Sequence, residues 1–290
     1  MCNFFNFFIK NKLRMILNGA CFFFGFKREL PMRKLIYAIL FSFTLLSGSN
    51  LTYADDHVEM EGNVFNIQVQ QCALSGNTSI EQYDSMINDY FKWAKKNDAE
   101  VFFSRQTPLY VHNSWYRSGM DFLEILFSTH AESGKAWDKW LGTKEGQKLN
   151  ARWQELADCR VKMGASFINY IDQEAMNNDD DRIVAWNWCS LNEGVSYEDL
   201  LAEHEKRAEL LKEDSLGIIA WANVYPRIGT DEAPGDFAHI AVYPNIESAQ
   251  IYQQAQSDGG WQSYRDYQKD FATCRGESYM VEKVLNDPNN

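Results

Sequence analysis

The chain has 290 residues, with 28 Lys and Arg against 40 Asp and Glu, a formal net charge of −12 and six cysteines. A chain of that sign repels nucleic acid and anionic membrane surfaces, so neither is an expected partner. The length allows a leader followed by two compact domains of roughly 110 residues each.

In chain order, Arg33-Lys34 precede an apolar run from Leu35 to Leu46, and a small polar stretch ends in Thr52-Tyr53-Ala54 before Asp55-Asp56. This is the pattern of a secretory signal peptide starting at Met32 and cleaved after Ala54, so residues 1–54 read as a leader. The apolar runs are too short for a membrane span, which takes about 20 residues. Removing the leader leaves 21 basic and 39 acidic residues and four of the six cysteines. The expected product is an exported protein, periplasmic or secreted, with no stable membrane association and in a compartment that permits disulfides.

The remainder repeats itself at a distance of about 115 residues. Asp121-Phe122, Glu132-Ser133, Gln147 and Ala157-x-Cys159-Arg160 recur as Asp236-Phe237, Glu247-Ser248, Gln262 and Ala272-x-Cys274-Arg275; Cys72-x-Leu74 recurs as Cys189-x-Leu191. A first repeat is assigned to residues 62–176, a polar linker to 177–182 and a second repeat to 183–286.

In the first repeat, Phe65, Ile67 and Val69 alternate with polar residues as a half-buried strand does. Ser79 and Gln82 form a capping box before Tyr83, Met86, Ile87, Tyr90, Phe91 and Ala94 at helical spacing. Strands are predicted over 100–106 and 121–128, joined by a loop with Pro108 and Gly119. A helical region broken near Gly142–Gly146 and a strand over 160–171 follow. The second repeat keeps the order, with strands over 183–189, 217–225, 236–243 and 277–284 and helices over 196–211 and, broken, 246–271. The fold class is therefore α+β, a tandem duplication of the ferredoxin-like β-α-β-β-α-β pattern. In that topology the first and last strands of a repeat are antiparallel neighbours. The end of one then lies beside the start of the other, and of three connectivities the predicted one is Cys72–Cys159 with Cys189–Cys274. Four buried thiols are the alternative.

Two such repeats in one chain, with sheets able to face one another, resemble a fused version of the dimeric α+β barrel superfamily. That superfamily includes cofactor-free monooxygenases, haem-degrading relatives and chlorite-dismutase-like haem proteins. The resemblance implies an intrachain α+β barrel with a ligand chamber between the sheets, and it names no ligand.

With Ile240 and Val242 assigned to the helices, alternation directs Phe237, His239, Ala241 and Tyr243 into the chamber with Trp221, Asn223 and Tyr225. The same phase in the first repeat directs Phe103, Arg105, Phe122, Glu124 and Gln70 inward, with Asn66 and Gln68, and Asn187 matches Gln70. Glu124 and His239 occupy equivalent positions, and a carboxylate near a histidine can act as a tuned base. A buried ion pair that fixes how the repeats dock explains the same residues.

His204 falls on the apolar stripe of its helix and reads as core, and His112 and Trp115 lie in a loop, at the chamber mouth or on the surface. No Cys/His cluster indicates a metal, and neither a phosphate-binding glycine loop nor a nucleophile elbow is present. The expected function is binding of a small, partly aromatic or apolar molecule. The alternative is a cofactor-free monooxygenase-like enzyme using His239 and Glu124, with Trp221, Asn187 and Asn223 holding substrate. No cofactor is expected. A haem on His239 or His204 is the lesser reading, beside a purely structural role.

Overall fold

The computed structural model describes residues 64–178 and 180–288. The predicted leader and cleavage site lie outside the described residues. In chain order the elements are β1 (Val64–Leu74), α1 (Ile80–Lys96), β2 (Phe102–Tyr110), α2 (Asn113–Ser118), β3 (Phe122–Ser128), α3 (His130–Gly142), α4 (Lys144–Leu156) and β4 (Ala157–Ile171). After α5 (Gln173–Asn177) come β5 (Asp181–Leu191), α6 (Tyr197–Glu213), β6 (Ala220–Ile228), β7 (Phe237–Tyr243), α7 (Ile246–Ala255), α8 (Trp261–Asp270), β8 (Ala272–Cys274) and β9 (Ser278–Asn286). Among the described residues no helix is long and apolar enough to cross a membrane.

The predicted cap forms, and the second repeat has its equivalent. Ser79 Oγ accepts from Gln82 N–H at 3.3 Å while Gln82 Oε1 accepts from Ser79 N–H at 2.9 Å, and Ser196 with Asp199 does the same for α6. The first broken helix parts at Thr143, which ends α3 and caps α4. The second parts at a π turn over Gln256–Gly260, where Gly259 adopts φ 129°, a conformation open to glycine. Three short elements fall outside the expected set: α2, α5 and β8, each of six residues or fewer. So few residues carry no readable period.

Each repeat forms a sheet in the order fourth, first, third, second strand, and the second strand of each pairs antiparallel with the last strand of the other, as β2–β9 and β4–β6. These two seams join the edges that a single repeat would leave unpaired, and the eight strands close into one barrel. Pro108 sits beyond the stretch of β2 that pairs with β3 and faces only β9, a position where a missing N–H is tolerated.

The repeated residues brace the frame. Asp121 Oδ2 accepts the N–H of Leu74 at 2.8 Å and Asp236 Oδ2 that of Leu191 at 2.9 Å, so each ties the start of a third strand to the end of a first. Phe122 and Phe237 are 2% and 0% exposed beside the cysteines. Cys72 is joined to Cys159 and Cys189 to Cys274, each pair facing directly across its strand ladder.

One expectation is reversed. Ile67, Leu123, Ile125, Val184, Ile240 and Val242 form a single core drawn from both repeats, which is the interior of the barrel. The alternate residues lie under the helices, Phe103 and Phe122 with Tyr83 and Met86 of α1, and Trp221 and Tyr243 with Ala208 of α6. The set deduced from alternation does share one face, but it is the outer one. The closed barrel takes the aliphatic side chains inside, and the helices supply the polar partners that the mixed face needs.

Candidate functional site

The interior holds a chamber of about 870 Å³ in the half nearer the disulfides. Its wall comes from alternate residues of both repeats: Val69 of β1, Leu123 of β3, Trp186 and Trp188 of β5, Val224 of β6 and Met280 of β9. The two equivalent connections form its mouth, the β2–β3 connection through His112, Trp115 and Arg117 and the β6–β7 connection through Thr230, Glu232 and Pro234. Further along the barrel the core is packed. There Glu282 Oε1 accepts from Ser104 Oγ at 2.7 Å and Gln106 Nε2 at 2.8 Å, Arg182 lies 3.7 Å from its Oε2, and Gln106 Oε1 accepts from Trp186 Nε1 at 2.8 Å. The chamber thus has a hydrogen-bonded floor and an aromatic wall, with one end open to a ligand.

The residues expected in the chamber form two networks outside it. In the first repeat Glu124, fully buried, accepts from Tyr83 Oη at 2.9 Å and from Arg105 Nη2 at 3.0 Å. Arg105 also reaches Asp84 at 2.5 Å, and Trp153 Nε1 donates to Tyr83 Oη at 2.9 Å. Burial pushes the Glu124 carboxyl up to about 7, against the opposing pull of Arg105 and Tyr83. Gln70, cross-strand partner of Glu124, and Phe103 line a crevice of about 70 Å³ between the sheet and α1, α3 and α4. Asn66 and Gln68 line it too, the latter accepting from Trp137 Nε1 at 2.8 Å.

In the second repeat His239 Nδ1 accepts from Trp221 Nε1 at 3.1 Å and Asn223 Nδ2 at 2.9 Å. Trp221 only donates, so the proton of neutral His239 resides on Nε2 and is given to Tyr267 Oη at 3.0 Å. Tyr267 in turn donates to His204 Nε2 at 2.9 Å, which leaves the other proton on His204 Nδ1. That nitrogen is buried with no hydrogen bond, although Asn223 lies near enough to favour its protonation. Burial, aided by Arg207, holds His239 down to about 3, and burial with His239 and Arg207 beside it holds His204 down to about 2, so both are neutral. Replacing Tyr267 with Phe should strand one donor and one acceptor. The expected cost is about 2–4 kcal/mol in urea unfolding at pH 7, and a change below 1 kcal/mol would contradict the relay.

Asn187 faces outward as well, bonding Tyr264 Oη at 3.4 Å and the Gly276 N–H at 3.0 Å. Tyr225 packs with Leu200 and Phe237, and Tyr243 with Ala249 and Tyr279. Glu124 and His239 therefore do not meet across a chamber, since each lies under the helices of its own repeat. Sequence reasoning placed His112 and Trp115 among candidates for the mouth, and both line it. It missed Trp186, Trp188, Arg160, Lys162 and Arg275, although Arg160 and Arg275 were in view as repeated residues. The ligand atoms of Cys189, His239 and Cys274 lie within 4.8 Å of one another, but the two sulfurs are bonded to each other and offer no thiolates to a metal.

No family model matches the chain, and no curated protein matches it in sequence. Among solved structures, a proposed monooxygenase from Lactobacillus acidophilus is 10% identical and superposes with a TM-score of 0.51 over 77% of this chain and 100% of its own. The chain has the dimeric α+β barrel fold. A proposed monooxygenase from Fusobacterium nucleatum (11% identity, 78% of this chain and 94% of that one, TM-score 0.47) is also similar. So is a mutant chlorite dismutase from Candidatus Nitrospira defluvii with cyanide bound (7%, 76% and 91%, 0.44). At such identities the likeness is one of fold. Here the dimeric α+β barrel is closed within one chain.

Proposed function

We propose that this exported protein binds one small, partly aromatic or apolar molecule inside its barrel. The observation that carries the reading is the chamber of about 870 Å³ with Trp115, Trp186, Trp188, Met163 and Met280 in its wall. That volume lies within the ~300–1,000 Å³ of ordinary ligand sites, and so large a gap in an otherwise filled barrel lacks a packing rationale. Export accords with the two disulfides. Native mass spectrometry of the mature protein from its own host should show a second, heavier species with one organic molecule per chain. The bare polypeptide mass alone, under conditions that preserve the barrel, would count against the reading.

A monooxygenase-like activity is the second reading, favoured by Glu124, whose carboxyl burial pushes up to about 7 and whose cross-strand partner Gln70 lines an aromatic crevice. A carboxylate so poised can take a proton from a phenol or quinol. The crevice, about 70 Å³, would have to open to admit such a substrate. Oxygen consumption with a panel of phenols and quinols, lost in Glu124→Gln, tests it. A haem on His239 or His204 fits the arrangement poorly, because both nitrogens of His239 and the Nε2 of His204 are engaged. Haem titration should therefore give no Soret band, and the appearance of one would contradict that arrangement.

A further inference from the structure

The charge at the chamber mouth is opposite to that of the protein. The chain carries a net −12, yet among the described residues Arg117, Arg160, Lys162 and Arg275 line the chamber against a single carboxylate, Glu232. Arg160 and Arg275 are the repeat's own equivalents, each directly following a disulfide cysteine, Arg160 within β4 and Arg275 just past the end of β8. Arg160 stands opposite Gln71 on β1, and the backbone of Arg275 bonds that of Trp188 at 2.9 Å on β5, the matching place in the second repeat. Duplication has thus set two guanidinium groups around one opening. Among the described residues neither makes an ion pair or side-chain hydrogen bond, and both are exposed, as is Arg117. Among the described residues Lys162 bonds only the Gly229 carbonyl, at 3.0 Å.

Four cations thus gather at one opening of a chain in which acidic residues outnumber basic ones. Unpaired guanidinium groups at the rim of an apolar cavity are suited to an anion, which they can grip through paired N–H donors. Below them the wall turns apolar through Trp186, Trp188, Leu123, Val224 and Met280. Resting on the ligand-binding reading above, we propose that the ligand is an amphiphilic anion, with an aromatic or apolar body among the tryptophans and an acidic headgroup between Arg160 and Arg275. Carboxylate and phosphate headgroups share the chemistry that this rim recognises.

The test compares two dyes that differ by one sulfonate, 8-anilinonaphthalene-1-sulfonate and neutral N-phenyl-1-naphthylamine, titrated into the mature protein at low salt. The wild type should bind the anionic dye about fivefold to tenfold more tightly, a preference that added salt weakens. In Arg160→Gln/Arg275→Gln the two affinities should come within about twofold, with that for the neutral dye retained. Equal affinities in the wild type, or a preference that survives the double substitution, overturn the proposal and leave the chamber reading standing. Binding of neither dye overturns the chamber reading itself. Displacement of the bound anionic dye by decanoate or decyl phosphate should exceed displacement by decanol. The stronger of the two acids identifies the headgroup, and parity of both with decanol again overturns the proposal.

Discussion

Removing the disulfides should lower stability more than any other paired change. Cys72–Cys159 and Cys189–Cys274 close loops of 87 and 85 residues, for which constraint of the unfolded chain is worth about 4–5 kcal/mol each. The double substitutions Cys72→Ala/Cys159→Ala and Cys189→Ala/Cys274→Ala should each lower the urea midpoint accordingly and reduce Tm by about 10 °C or more. The bridges also meet at one end of the barrel, beside the chamber mouth, so their loss should loosen ligand binding before it unfolds the chain. Unchanged midpoints in reductant, with free thiols verified by mass, would contradict this role.

The second large effect is expected at Arg105. Replaced by Met, it leaves Glu124 fully buried without its cation, and breaking such a pair costs about 3–5 kcal/mol when the remaining charge must stay ionised. The Asp84 contact adds little, since that carboxylate is half exposed. The cost should depend on pH. The folded-state pKa of Glu124, about 7, stands above its ordinary 4.5, so the stability it contributes is fully present below pH 4.5 and is lost as pH rises through 7. Arg105→Met should therefore be most damaging at pH 8 and much milder at pH 5, where a neutral carboxyl needs no cation.

His204 and His239 act with the opposite sign. Both are depressed from an ordinary 6.5, so their contribution is present above pH 6.5 and is lost as pH falls toward 3 and then 2. For these three groups together, the wild type should be most stable near neutrality. Urea unfolding of wild type and variant at pH 5 and pH 8 checks the assignment. An equal cost at both pH values would show that Glu124 is not the group responsible.

Much of the frame could be read from the sequence because its signals are local or repeated. Alternation in β1, the capping box at Ser79, and the recurrence of Cys72 and Cys159 as Cys189 and Cys274 lead to the strands, helices and bridges that form. Period-2 alternation also grouped Glu124, Arg105, Phe103 and Gln70 correctly on one face. It could not say which side of the sheet that face was. The choice depends on barrel closure, a nonlocal event in which β2 meets β9 and β4 meets β6. Once closed, the interior favours Ile125, Val184 and Ile240, while Tyr83, Asp84, Tyr264 and Tyr267 satisfy the polar residues from outside. The chamber wall was hidden for the same reason. No local period marks Trp186, Trp188, Arg160 or Arg275 as neighbours of one opening until the two repeats meet around it.

The central claim is that the ligand sits inside the barrel and not under the helices. Ser278 faces the chamber across from Trp186, so Ser278→Trp should put an indole into the cavity against the Trp186 wall while sparing the outer networks. Binding of N-phenyl-1-naphthylamine, followed by fluorescence titration in wild type and variant of equal thermal stability, tests the claim most directly. The account predicts at least a tenfold loss of affinity in Ser278→Trp. Unchanged affinity would place the ligand elsewhere and contradict it.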